Sequence, residues 1–477
     1  MGQHLGSGKT SRNHAKNLDP LFNPDTVAVF GSLREGWFGG YVAIENLKKF
    51  GFLGQVFPVN PSHDGNEVLG YPVYSSLEEI PSQIDLAVVI VNALNVPKII
   101  KECVAKGVKA AVVVSDGMAE RDDMGEKLQE ETVKIARTAG LRLIGPNTIG
   151  VANSANGFIT CPYQVGYDRI KKGGVALVSQ SGIFGPQALP LEDTQYGISK
   201  ICDFGNKCDV NETELLEYLA CDSETKVIAM HIEDIKDVRY FVEVSKRIAR
   251  KKPILILKPG RTHESAKAMA SHTGSLAGSD EIYDGILKQA GVIRVEHYRE
   301  LFDYAKMLAL QPLPKGNRLG IITITGGGGI MAIDSAVKSG LALAELSPGT
   351  LEKLAEIFPS LANNPADLGA AVPVMGNPVL QNQIRQLIIH DEHVDCIAIA
   401  MYAGAVIERQ QVQLREFEEL KHTISKPIAI WIYGTRVPSI EEMSRTLEGV
   451  GFPVFLDFET AAKALAISYT YSKIKNN

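Results

Sequence analysis

The chain has 477 residues, 22% of them charged, and a formal net charge of −6. At roughly 100–200 residues per domain this length predicts about three modules, and the acidic balance offers no basic field to hold nucleic acid or an anionic membrane. The six cysteines form no Cys-x-x-Cys pair suited to zinc or redox exchange, and no apolar run reaches the ~20 residues of a membrane span, so a cytoplasmic protein without a metal site is expected.

Met1 to Leu18 is polar and lacks the apolar stretch of a signal peptide. Its Gly6-Ser7-Gly8-Lys9-Thr10 imitates a phosphate-binding loop, but Gln3 stands where the first glycine is required and no strand precedes it, so it reads as a tail. Beyond it, short β-branched runs alternate with amphipathic stretches, the pattern of parallel strands covered on both faces by helices. The first group of runs is Val27 to Phe30, Val56 to Val59, Leu86 to Val91, Ala110 to Val114 and Leu141 to Ile144. After an irregular stretch, Ser154 to Gly174, come Val175 to Val178, Lys200 to Phe204, Lys226 to Ile232, Ile254 to Leu257 and Val292 to Val295. Gln311 to Gly316 reads as a linker to Gly320 to Ile324, Leu341 to Leu346, Val394 to Ala400, Pro427 to Ile432 and Pro453 to Leu456. The expected fold class is α/β: three consecutive doubly wound modules, Rossmann- or flavodoxin-like, with mainly parallel sheets.

Ligands bind such sheets beyond the carboxyl ends of the strands. After the first strand, the glycines of the loop Gly31 to Gly40 could let backbone N–H groups meet a phosphate, although the Gly-x-Gly-x-x-Gly spacing is missing and a tight turn is an equal reading. Ser179-Gln180-Ser181-Gly182 follows Val178 and is expected to open a helix whose free N–H groups favour an anion; an N-cap serine is the plainer alternative. After Leu257 the chain runs through Lys258-Pro259-Gly260-Arg261 to Ser271-His272-Thr273-Gly274-Ser275-Leu276-Ala277-Gly278-Ser279, where no bulky neighbour holds His272 in a core. One ring nitrogen of a neutral imidazole can accept a phosphoryl group if a carboxylate holds the proton on the other. Glu233, just past the run Lys226 to Ile232, is the candidate carboxylate; a solvated strand-end acid is the alternative. His231 and His263 compete less well, one lying within a strand and the other on a charged helix start. In the last module Thr325-Gly326-Gly327-Gly328-Gly329 offers a close backbone approach, and Asn364-Pro365-Ala366-Asp367-Leu368 a turn with a capping role.

The histidine loop, together with Gly205-Asn206-Lys207 and Asp209, Ile232-Glu233 before Ile235-Lys236-Asp237, Val178 to Gly182, Pro58 to Pro61, Gly145-Pro146-Asn147, and Asn364-Pro365 with Asp367-Leu368, carries a resemblance over Leu21 to Ile474. In these residues and their order the chain resembles the α subunit of ADP-forming acyl-CoA synthetases, in the succinyl-CoA synthetase superfamily. The resemblance implies a CoA-binding domain at 20–153, a ligase domain with a phosphohistidine loop at 154–310 and a second ligase domain at 317–477. It implies that coenzyme A meets Gly31, Ser32, Leu33, Arg34, Val59, Asn60, Pro61, Val91, Asn92, Ala93, Ser115, Asp116 and Asn147. It further implies that His272 is phosphorylated, that Glu233 stabilises it, and that Ser179, Gln180, Ser181, Gly182 and Gly274 hold the phosphate.

The implied reaction interconverts acyl-CoA, ADP and phosphate with carboxylic acid, CoA and ATP, through an acyl phosphate and phospho-His272. Mg-ATP or ADP would be handled by an ATP-grasp β subunit in an α2β2 assembly. The sequence departs from the family pattern at Leu33 (usually serine), Phe38 (commonly lysine), Thr148 (usually cysteine), Asp116 (alanine or glutamate) and Ile324 (asparagine). The rival reading is a CoA-responsive regulatory or scaffold protein that has lost turnover. A nicotinamide-dependent dehydrogenase is disfavoured by the missing dinucleotide fingerprint.

Overall fold

Short runs of Val, Ile and Ala without polar alternation suit strands covered on both faces, and the central strands of all three sheets are such runs, buried along most of their length. The computed structural model describes residues 18–62, 67–167, 170–187, 196–267, 280–403, 407–435 and 437–476. The first sheet comprises β1 (Thr26–Gly31), β2 (Gln55–Val59), β3 (Leu86–Ile90), β4 (Ala110–Val113) and β5 (Arg142–Ile144), in the order β2-β1-β3-β4-β5. All four pairings are parallel.

The second sheet contains β6 (Val151–Asn153), β7 (Phe158–Ile159), β8 (Lys172–Ser179), β9 (Ile198–Asp203), β10 (Val227–His231), β11 (Ile254–Leu257) and β12 (Ile293–Val295). Its order is β12-β11-β10-β8-β9-β6-β7, so the five parallel strands repeat the connectivity of the first sheet. β6 and β7 add an antiparallel edge along β9. That edge was not foreseen: three- and two-residue strands are too short to show a period, yet they satisfy backbone groups that β9 would otherwise leave open.

The third sheet holds β13 (Arg318–Thr323), β14 (Ala342–Leu343), β15 (Ala366–Asp367), β16 (Cys396–Tyr402), β17 (Ile428–Tyr433) and β18 (Val454–Phe455), ordered β14-β13-β16-β17-β18. β15 also pairs with β13, at its carboxyl end, where Thr323 faces Asp367. All three sheets thus share one strand order, in which the chain reverses direction across the sheet beside its first strand, the position where α/β folds open a ligand crevice.

The chain divides into two compact units, one ending at His297 and the other running from Tyr298 to Asn477. The first two sheets lie in the former and the third in the latter. The helix Tyr298–Leu310 packs on the final helix, Phe458–Asn476, inside the second unit. His272, Gly274 and the Gly6 to Thr10 tail lie outside the described residues. Among the described residues no helix is long and apolar enough to cross a membrane.

Candidate functional site

At the carboxyl edge of the first sheet, β1 and β3 approach so closely that a Cβ on Gly31 would stand 2.9 Å from the carbonyl oxygen of Ile90, which requires glycine there. The Asn60 side chain, just past β2, donates to the Gly31 carbonyl at 2.9 Å. The Val91 N–H donates to Ser115 Oγ at 3.3 Å, and the Asn147 N–H to the Ser115 carbonyl at 2.9 Å. The expected coenzyme residues after β1 and β2 therefore meet one another, as do those after β3, β4 and β5. Ser32, Arg34, Pro61, Asn92, Asp116 and Asn147 are exposed, whereas Leu33, Val59 and Ala93 are buried and can offer a ligand little but backbone. Thr148, where a cysteine is usual, donates through Oγ1 to the Asp203 carbonyl and accepts from the Gly150 N–H at 2.9 Å, so its hydroxyl serves the turn.

At the equivalent edge of the second sheet, Ser179 ends β8 beside His231, the last residue of β10. Ser179 Oγ donates to the Ser181 carbonyl at 2.6 Å and accepts from the Ser181 N–H at 2.9 Å, so this hydroxyl shapes the turn. Gln180 reaches across the edge: its N–H donates to the His231 carbonyl at 3.0 Å, its Nε2 to Asp234 Oδ1 at 3.1 Å, and its Oε1 accepts the Glu233 N–H at 2.9 Å. Ser179, Gln180 and Glu233 are thereby gathered at one point, and Glu233 is only 9% exposed, not the solvated acid of the plainer alternative.

The helix expected after Ser181 is, within the described residues, a three-residue 3-10 turn, Gly182–Phe184. Gly185 adopts extended backbone and Pro186 follows it; a proline disfavours helical backbone in the residue before it and brings no N–H of its own.

Charges behind this edge hold it in place. Lys207 Nζ lies 2.9 Å from Glu212 and 2.6 Å from Asp234, with no exposure of the Lys207 and Glu212 side chains. Against the cost of burial, the Lys207 charge and hydrogen bond keep the Asp234 carboxyl below its ordinary range. Burial, with the Lys258 charge second, lowers His231 to about 4, so this imidazole is neutral at pH 7. It is 3.4 Å from Ser179 Oγ and its ring packs 5.2 Å from that of Phe184, which makes it part of the wall. Burial likewise raises Asp203, at the end of β9, to about 6. Asp234 and the Lys207–Glu212 pair escaped the sequence reading as site-shaping residues; the signals were an acid directly after Glu233 and the place of Lys207 in the motif Gly205-Asn206-Lys207.

In the second unit, Thr323 Oγ1 donates to the Thr325 carbonyl at 2.7 Å and accepts from the Thr325 N–H at 3.2 Å, the arrangement of Ser179 and Ser181 again. Thr325 Oγ1 then caps the helix Gly326–Lys338 through the Gly328 N–H. Asp367 accepts from the Gly369 N–H at 2.9 Å, the capping role expected of its turn. Among the described residues no cluster of three or more His, Cys, Asp or Glu is placed to hold a metal ion.

Known proteins are similar to this chain along nearly its whole length. The family model described as a CoA binding domain matches residues 25–154, and the one described as a succinyl-CoA ligase like flavodoxin domain matches residues 172–308. The chain is 36% identical, over 96% of its length and 98% of the relative's, to subunit alpha of the ADP-forming acetate–CoA ligase I of Pyrococcus furiosus. It is also 36% identical to the ADP-forming acetate–CoA ligase II of Archaeoglobus fulgidus, over 96% of this chain but 67% of that longer protein. Among solved structures, the dinucleotide forming acetyl-coenzyme A synthetase 1 of Ca. Korarchaeum cryptofilum, in complex with phosphate and ADP, superposes with a TM-score of 0.86 at 31% identity, covering 96% of this chain and 97% of that one. Full-length identity at this level, together with the order of sheets and edge residues, shows that the chain belongs to the family of ADP-forming acyl-CoA ligases, as a counterpart of their alpha subunits.

Proposed function

We propose that this chain binds coenzyme A on the first sheet and carries a phosphoryl group on His272 at the edge of the second. Inorganic phosphate attacks the acyl-CoA thioester and releases CoA, leaving an acyl phosphate. His272 takes the phosphoryl group as the carboxylate departs, then passes it to ADP; the reverse sequence activates a carboxylic acid at the expense of ATP. The observation that supports this reading most is Gln180, which joins the Ser179 turn to Glu233 at one crevice. A carboxylate there can hold the far ring proton of an incoming imidazole and stabilise its cationic phosphorylated form. With the Ser181 N–H held by Ser179 Oγ, the Ser181 hydroxyl, the Gly182 N–H and Gly274 would cradle the phosphate. A shuttling imidazole lets acyl and nucleotide sites be organised separately.

The nucleotide site belongs in this reading to an ATP-grasp β subunit, which would complete an α2β2 enzyme. The six cysteines of the chain are all free, in keeping with a reducing cytoplasm. Curated relatives that align along almost the whole chain are named as ligases, which favours turnover over the regulatory alternative.

The test mixes the purified chain, an ATP-grasp partner active with another alpha subunit, and Mg-ATP. An acid-labile, base-stable phosphate is expected on the wild type and not on His272→Ala. Label on the alanine variant would refute the assignment, and an unlabelled wild type would favour the regulatory alternative.

A further inference from the structure

We propose that Trp37, Phe38 and Tyr163 form a shelf on which the adenine ring of coenzyme A stacks; this rests on reading the first sheet as the coenzyme-binding one. The three rings pack on one another, with centroids 5.9 Å apart for Trp37 and Phe38, 5.6 Å for Trp37 and Tyr163, and 4.8 Å for Phe38 and Tyr163. Despite this packing, Trp37 keeps 70% of its surface in water and Phe38 keeps 40%.

The backbone beneath is tied down. The Gly39 N–H donates to the Pro162 carbonyl at 2.9 Å, the Gln164 N–H to the Trp37 carbonyl at 3.2 Å, and the Gln164 side chain to the Gly36 carbonyl at 3.2 Å. A large apolar cluster that is both ordered and solvent-exposed marks a binding surface more often than a packing accident.

Its position selects the occupant. The loop returns against Ser32: the Tyr41 N–H donates to the Ser32 carbonyl at 2.9 Å, and a Cβ on Gly39 would stand 3.6 Å from the same oxygen. The shelf therefore adjoins the crevice between β1 and β3. Exposed carboxylates flank it, Glu35 on the loop itself and Asp116 near enough for its charge to act on the Tyr163 phenol. Those carboxylates disfavour phosphate against the rings, while Arg34, exposed earlier in the same loop, is the group that can meet one. The pantetheine arm has no flat face, so the neutral planar part of the coenzyme, its base, is the group that fits; aromatic side chains stack on bases without needing charge. Tyr163 lies beyond the residues matched by the CoA-binding family model, which end at 154, on the segment between β7 and β8, so the shelf joins the loop after β1 to a residue outside that match.

The test uses the full chain with Trp431→Phe, which leaves Trp37 as the sole tryptophan of the two in the sequence. CoA and dephospho-CoA should quench Trp37 emission, whereas 4′-phosphopantetheine should not. Trp37→Ala should weaken CoA and dephospho-CoA alike by about ten-fold, the scale of one lost base–aromatic stack, with phosphopantetheine affinity unchanged and Trp37→Phe restoring most of the loss. Unchanged CoA affinity in Trp37→Ala would overturn the shelf while leaving the coenzyme reading intact. So would an equal loss for phosphopantetheine, or an effect confined to the KM of the carboxylic acid. A wild type that binds no CoA would overturn both.

Discussion

Lys207 sits in a left-handed backbone conformation, φ 40°, with its ammonium between two carboxylates in the interior. Removing one member of a buried ion pair leaves the rest uncompensated and typically costs about 3–5 kcal/mol. Lys207→Met is therefore expected to lower stability by about that amount in urea denaturation. Because Asp234 anchors Gln180, the same change should also loosen the Ser179 turn from Glu233. Gln180→Leu separates the two effects: it removes hydrogen bonds at about 1 kcal/mol each but leaves no charge stranded, so the labelled fraction should fall well before the fold does.

His231 gives a pH signature. Its pKa in the folded chain is about 4, below the ordinary 6.5, so between these values the unfolded chain binds more protons and stability rises with pH. The contribution is present above pH 6.5 and lost on acidification towards pH 4, on the order of 3 kcal/mol in all. The difference between wild-type and His231→Gln denaturation curves should isolate this slope, since Asp203, raised to about 6, acts in the opposite sense in both proteins. Parallel curves would show that the imidazole titrates normally. Glu233 was legible because a strand end points to an edge; the Lys207 pairing was not, since Asp234 lies 27 residues further on and only the fold brings it near.

Single residues also complete elements that the strands leave unfinished. The edge beside β13 is split between β14 and β15, and the Asn364 side chain fills the gap. Its Oδ1 accepts the Ile321 N–H, and its Nδ2 donates to the carbonyls of Leu319 and Ala344, each at 2.9 Å. An amide thus replaces a missing rung of the ladder, and Asn364→Leu is expected to cost roughly 3 kcal/mol, three backbone partners at about 1 kcal/mol each. Aspartate in the same place keeps the acceptor and loses the donors, so it should fall between. Asn364→Leu with an unchanged urea midpoint would refute this. The parallel strands were legible because apolar β-branched runs have few other uses. β14 and β15 were not: the pairing covers two residues in each, the span Leu341 to Leu346 looked like one longer strand, and only a side chain joins the pieces. The recurrence of one hydroxyl turn, Ser179 with Ser181 and Thr323 with Thr325, was equally hidden, since no spacing rule links a serine to a threonine 144 residues on.

For the chain as a whole, the boundary between units tests how far sequence punctuation marks cooperative structure. Gln311 to Gly316 carries the signals of a linker, and the family match to the ligase domain runs to residue 308, so both place the helix Tyr298–Leu310 with the preceding module. Packing places it with the following one. Lys306 pairs with Glu448 at 2.8 Å and lies 4.9 Å above the Phe455 ring; Gln311 donates to the Gly451 carbonyl at 2.6 Å and accepts the Ile428 N–H at 2.9 Å. The helix Phe458–Asn476 buries Ala461, Ala462, Ala464, Leu465 and Ala466 between neighbours that include this helix. A fragment starting at Tyr298 should accordingly unfold in one cooperative transition, whereas one starting at Asn317 would expose that apolar face and leave the Glu448 carboxylate buried without its lysine. We expect the shorter fragment to lose several kcal/mol, through the stranded charge and the uncovered helix together, and to bind a hydrophobic dye that the longer one ignores. Equal urea midpoints for the two would place the boundary at the linker after all.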